Sequence, residues 1–276
     1  MHSSNQPVIY DSANTKNPAL AELREVFRYR NLVAQLARRD ILTRYKRSVL
    51  GIAWTMLNPL GMMLVMTIAF SRLFSSIEGY PVYVLSGLVV WTFFSQTTTA
   101  SMVNLVWGGT LLNRIYIPRA SFAISAIITG LVNLCFALIP IVIISLIIGH
   151  PIRATFFLVP IPLILIAAFS LGVGLLLSTL AVYFPDVAEM YQIFLTAWMY
   201  MTPVFYPETI FPESLRWWLT RFNPMYHLLR LFRTLIYEGQ IPQWYEIWPA
   251  LVIAITALIT GWIVFSNKSD EFGYRI

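Results

Sequence analysis

Charge is scarce in this 276-residue chain. Only 12% of its residues are Asp, Glu, Lys or Arg, against about 25% in a soluble domain. There is one cysteine, Cys135, inside an apolar run. It excludes an intramolecular disulfide framework and reads as small apolar filler. Three scattered histidines and that cysteine give no metal cluster. None of the three lysines follows a glycine, so there is no P-loop to cradle nucleotide phosphates. No Gly-x-Ser-x-Gly elbow is present. The first 47 residues hold no apolar run of the kind a cleavable signal needs. No acid or base sits at the centre of an apolar segment, which argues against a proton relay or a charged ion pore.

What is abundant is apolar. Hydrophobic residues make up 58% of the chain and aromatics 15%, with a mean hydropathy of +0.67. A water-soluble fold of this size has no means of hiding so much apolar surface. Six runs, 49–70, 82–107, 121–148, 156–183, 187–206 and 247–265, are long enough to cross a bilayer, which takes about 20 helical residues. The second and fifth are the least apolar and are expected to face protein or water. The expected fold class is all-α integral membrane, with a loose lead-in (1–18), an amphipathic cytoplasmic interface helix (19–47), a six-span domain (48–265) and a tail (266–276).

An even number of spans puts both termini on one side. Thirteen of the nineteen Lys and Arg residues fall on that side, nine of them in the first 47 residues. The positive-inside rule makes it the cytoplasm. Because the basic residues flank the first span, attraction to anionic head groups accounts for the net charge of +6 better than nucleic acid does.

From Pro18 to Arg47 the pattern is helical. Leu23, Phe27, Ala34, Ala37, Ile41 and Tyr45 fall on one side and Arg24, Arg28, Arg39 and Lys46 on another. Such a helix suits a membrane surface or a cytoplasmic partner. Within the spans, polar residues such as Asn58, Gln96, Thr97, Thr98, Thr99, Asn104, Asn133 and Gln192 are costly and expected to face protein or a cavity. Aromatics crowd the second and fifth spans. Trp91, Phe94, Tyr191, Trp198 and Tyr200 offer flat faces for stacking on sugar rings, although interfacial belts explain part of the set. Pro59, Pro140, Pro160, Pro162 and Pro203 are expected to kink or break their helices. Between the last two spans, 207–244 reads as two short outer helices broken at Asn223–Pro224, either re-entrant or sealing a pore mouth. Arg216, Arg221, His227, Arg230 and Arg233 there are candidates for phosphate or outer head groups.

The run Arg39-Asp40-Ile41-Leu42-Thr43-Arg44-Tyr45-Lys46-Arg47-Ser48-Val49-Leu50-Gly51, followed by Trp54 and Pro59, resembles the membrane subunit of ABC transporters that export polysaccharides: the O-antigen, capsule and teichoic-acid exporters. Ile117-Pro118-Arg119, Tyr183-Phe184-Pro185-Asp186-Val187, Thr202-Pro203-Val204-Phe205-Tyr206-Pro207 and Asn223-Pro224 follow in the same order as in that family. The resemblance covers residues 22–276.

It implies a permease without catalytic or metal-binding residues of its own, working as a homodimer with two ATP-binding subunits that hold the ATP and magnesium. The cargo is a lipid-linked polysaccharide, and the site is a bacterial cytoplasmic (inner) membrane. Carried over by motif, Trp54, Asn58, Tyr191, Trp198 and Tyr200, with Trp91 and Phe94 beside them, are conduit or glycan-contact candidates. Arg24, Arg28, Arg39 and Lys46 are lipid-phosphate candidates. Asn113, Arg114, Ile115, Tyr116, Pro118 and Arg119 correspond to a coupling helix resting on the ATPase, and Trp217, Arg221, His227 and Arg230 to an outer gate. Three other readings stay open: an ABC permease for a drug or lipid, a membrane glycosyl- or phosphotransferase, and a membrane scaffold.

Overall fold

The structure, a computed structural model, describes residues 18–46, 50–51, 53–107 and 117–274. The expected lead-in up to residue 17, and Asn113, Arg114, Ile115 and Tyr116 of the expected coupling loop, lie outside the described residues. Among the described residues every regular element is helical. They are α1 (Pro18–Arg28), α2 (Arg30–Tyr45), α3 (Ala53–Phe70), α4 (Tyr80–Trp107), α5 (Ala120–Ile148), α6 (Pro160–Tyr183), α7 (Val187–Met201), α8 (Glu213–Phe222), α9 (Pro224–Ile236) and α10 (Trp244–Lys268). Short 3-10 turns precede α6 and follow α10.

Four helical stretches, 53–70, 120–148, 154–183 and 244–272, are long and apolar enough to cross a membrane. The two other expected spans differ from these for separate reasons. α4 has the length, at 28 residues, but Gln96, Asn104 and a run of threonines dilute its hydropathy. α7 has 15 residues, about 22 Å at 1.5 Å per residue, and stops at Met201 where the expected segment ran to 206. Pro203 explains the stop, because the residue before a proline is pushed out of the helical region. Thr202 is extended, with φ −103° and ψ 132°.

α4 is the central helix, as its low hydropathy suggested. Val82, Val84, Leu85, Val90 and Phe94 are fully buried among α3, α5, α6, α7 and α9. The widest pairing, α6 against α10, rests on small residues. A Cβ on Gly172 would lie 2.2 Å from the Ala257 carbonyl, and one on Gly261 2.1 Å from that of Gly172. Two backbones meet there with no room for a side chain. The outward faces of α5, α6 and α10 expose Ile143, Leu146, Ile147, Ile164, Ile255 and Ile259. Such an apolar exterior belongs in lipid rather than water. Cys135 is also exposed, on the surface of α5, rather than filling the interior.

The expected single interface helix is two, broken at Tyr29. α1 packs on α10 and α2 on α5, so the bend seats each on its own support. The buried stripe shares Ala37 with the expected apolar side but otherwise differs from it. Val33, Leu36 and Ala37 are buried, while Leu23, Phe27 and Ala34 are exposed. α1 is tied down by polar contacts. The Trp262 indole N–H donates to the Ala19 carbonyl at 3.0 Å. The Ala120 N–H donates to the buried Glu22 carboxylate at 3.0 Å, placing an acid at the positive end of α5. α3 and α5 run through Pro59 and Pro140 without a break, both prolines being buried between helices. Pro160 and Pro162 open α6 instead.

Candidate functional site: a polar groove along α4

In α4, residues three and four apart share a face. Thr92, Gln96 and Thr99, with neighbours Ser95 and Asn104, therefore form a polar seam on one side of the helix. Three depressions lie along this seam and all include Gln96. The first, of ≈ 520 Å³, lies between α3, α4 and α5 and holds Trp54, Asn58, Gln96 and Asn133. The second, of ≈ 210 Å³, is roofed by α2 and holds Asp40, Thr43, Gln96, Asn104, Thr129 and Asn133. The third, of ≈ 530 Å³, opens between α4 and α7 past Ser95, Thr99, Asn104 and Gln192. The Gln192 amide donates to the Thr99 hydroxyl at 3.3 Å.

The structure divides the expected conduit residues. Trp54 and Asn58 line the first depression and are exposed. Trp91, Phe94 and Tyr191 are buried. Phe94 packs against Trp198 at 5.2 Å and Phe169 at 5.4 Å between ring centroids, and Trp91 meets Trp198 at 6.0 Å. These rings form an aromatic wedge between α4, α6 and α7. The Tyr191 hydroxyl bonds Thr98 at 2.7 Å. Trp198 is half-buried, and its indole N–H donates to the Asn223 side-chain oxygen at 2.9 Å. Tyr200 is exposed and stands edge-on to Phe205. Sequence reasoning overlooked the hub role of Gln96 and the part played by Asp40. The signal for the first was present, since an amide in a span is costly. Nothing in sequence placed Asp40 opposite Asn104.

Arg24, Arg28 and Lys46 are exposed. Arg39 is half-exposed and bonds the neighbouring Asp40 at 3.1 Å. Pro118 and Arg119 open α5, and Arg119 lies 3.9 Å from Asp270 beyond α10. Burial raises the Glu22 carboxyl above the ordinary 4.5, opposed by its bond to the Ala120 N–H.

At the opposite end, Asn223 caps α9 by accepting the Met225 N–H at 3.1 Å, with Pro224 in the first turn. Arg221 sits 4.8 Å over the Trp217 ring. His227 contacts the Arg221 carbonyl at 3.4 Å, and burial holds its imidazole below the usual value. Arg230 is not free for phosphate, because the buried Glu246 holds it at 2.9 Å. Arg233 does not reach head groups at all. It is 6% exposed and points into the bundle. Among the described residues no group of three or more His, Cys, Asp or Glu converges.

Residues 31–237 match the ABC-2 type transporter family. The chain is 28% identical over 259 residues to the O-antigen export system permease protein RfbA of Myxococcus xanthus, covering 92% of this chain and 98% of that one. It is 27% identical over 247 residues to a Klebsiella pneumoniae protein of the same name, covering 88% and 93%. Against the polysialic acid transport protein KpsM of Escherichia coli it is 22% identical over 243 residues, covering 86% and 93%.

Proposed function

The chain belongs to the ABC-2 type transporter family, and from that premise we propose that it is the permease subunit of a polysaccharide exporter of the O-antigen kind. The observation that carries this reading is the polar seam of α4, which lies open on one side of a bundle whose other exposed faces are apolar. A passage for a hydroxylated polymer needs many weak hydrogen-bonding and stacking contacts rather than one tight site. The names of its relatives supply the polymer.

In this reading α3, α4, α5, α6, α7 and α10 each cross the membrane, α8 and α9 form an outer gate, and both termini are cytoplasmic. Two copies enclose the conduit. The lipid-linked glycan arrives from the cytoplasmic leaflet, and the exposed Arg24, Arg28 and Lys46, with Arg39, attract its phosphates. Nucleotide binds to separate ATPase subunits. Their movement is passed through the segment ending at Pro118 and Arg119 and shifts an equilibrium between conduit states. This chain provides a path and no covalent chemistry.

Deleting the gene in its host tests the reading. The expected outcome is glycan held on its lipid carrier inside the cell, with none at the surface, and restoration by the intact gene. Surface glycan at its usual level without the gene overturns it.

A further inference from the structure

We propose that the depression centred on Asp40 is a subsite for one neutral sugar ring, the unit next to the diphosphate of the lipid carrier. This deepens the export reading and rests on it. Three helices build the pocket: Asp40 and Thr43 from α2, Gln96 and Asn104 from α4, Thr129 and Asn133 from α5. At ≈ 210 Å³ it is the smallest of the three depressions along the seam. That suits one ring with its hydroxyls, not a length of chain.

The chemistry of the lining sets the ligand class. Amides and hydroxyls both donate and accept, as sugar hydroxyls do. Asp40 adds acceptors alone. One of its oxygens is taken by Arg39 at 3.1 Å. The other faces the Asn104 amide at 3.5 Å, a long contact that leaves lone pairs for a closer donor. A carboxylate so placed accepts hydroxyl hydrogens and, even paired with Arg39, disfavours a second carboxylate such as that of a sugar acid. Part of this lining also docks α2: the Thr129 hydroxyl donates to the Ala37 carbonyl at 3.4 Å and the Thr43 hydroxyl to the Arg39 carbonyl, which leaves the Asp40 carboxylate and the Gln96 and Asn104 amides to meet a ligand.

The pocket is also well placed. Asp40 directly follows Arg39, which is paired with it but remains half-exposed, and so keeps donors for the diphosphate. Through Gln96, Thr97 and Asn133 it opens into the first depression, where the Trp54 indole, 55% exposed, offers a stacking face for the next ring.

A photo-crosslinking amino acid placed at Thr43, or separately at Gln192, in the assembled transporter tests this in cells making their own glycan. The chain is purified under denaturing conditions and stained for carbohydrate. Glycan on the Thr43 probe is expected, falling about tenfold with Asp40→Asn at unchanged protein level, as the loss of one charged hydrogen bond predicts. Capture at Gln192 but not at Thr43, or Thr43 capture indifferent to Asp40→Asn, overturns the subsite and leaves the export reading standing. Capture at neither position overturns the export reading itself. Equal capture at Thr43 in a host whose first sugar is a uronic acid overturns the neutral-sugar assignment.

Discussion

Arg233 of α9 places its guanidinium 3.8 Å from the centre of the Tyr83 ring on α4. Each of its donor nitrogens is engaged around that stack. Nε faces the Ser86 hydroxyl at 3.4 Å. Nη1 donates to the Tyr83 hydroxyl at 3.0 Å and the Pro203 carbonyl at 2.5 Å. Nη2 donates to the Tyr83 carbonyl at 3.3 Å and to the Val204 carbonyl. Five N–H groups meet five neutral oxygens. The carbonyls of Pro203 and Val204 belong to the stretch where α7 has ended, and buried backbone outside a helix persists only when other protein groups satisfy it.

Arg233→Leu is therefore expected to destabilise the bundle. Each buried carbonyl left unsatisfied costs about 1–3 kcal/mol. Arg233→Lys is expected to recover part of the loss, because an ammonium has three donors and no planar fork. Thermal unfolding in detergent checks this. A melting temperature for Arg233→Leu equal to the parent's refutes the clasp.

Gly87 is the floor of the same arrangement. A Cβ there would lie 2.2 Å from the Val204 carbonyl oxygen. Alanine ordinarily improves a helix by about 0.5–1 kcal/mol, but here it forces backbone apart at a cost of about 1–3 kcal/mol. Gly87→Ala is expected to be destabilising, and less than additive with Arg233→Leu because both release the same segment.

Glu22 provides a pH signature. Burial raises its carboxyl above 4.5 in the folded chain, so the folded state holds the proton more tightly than the unfolded state. Its contribution is fully present below pH 4.5 and is lost as pH rises through the folded value. Glu22→Gln is expected to flatten that decline. Parallel melting curves across the range, with the two proteins showing the same slope, would refute it.

Trp198→Phe separates two roles. Phenylalanine keeps a ring against Phe94 and Trp91 but loses the N–H that reaches Asn223. A stability loss of about 1 kcal/mol is expected. Trp198→Ala loses the wedge as well and is expected to cost about 3–5 kcal/mol. If export falls with Trp198→Phe while the melting point holds, the indole meets cargo instead.

Labelling decides the topology. With Cys135 replaced by serine, a cysteine at the exposed Gln240 is expected to react with an impermeant maleimide on intact spheroplasts. One at the half-exposed Lys268 is expected to react only after permeabilisation. Reaction of both from outside contradicts the six crossings.

Composition and hydrophobic runs by themselves determined that this chain is helical and lives in lipid, because apolar surface on this scale has nowhere else to go. The motif order was enough to point to the exporter family. The break after Met201 was legible in Pro203, and the start of α9 in Asn223–Pro224, since both are local backbone effects. Facing was not legible. A span has 3.6 residues per turn and is apolar nearly all round, so no stripe tells which aromatic meets a groove. Only tertiary packing sent Trp91 and Phe94 into the wedge, left Trp54 in the open, drew Arg233 inward to orphaned carbonyls and Arg230 onto Glu246, and set Asp40 opposite Asn104. Those pairings join residues 16 to 150 positions apart, and closeness at that separation is a property of the folded bundle, not of any segment of the sequence.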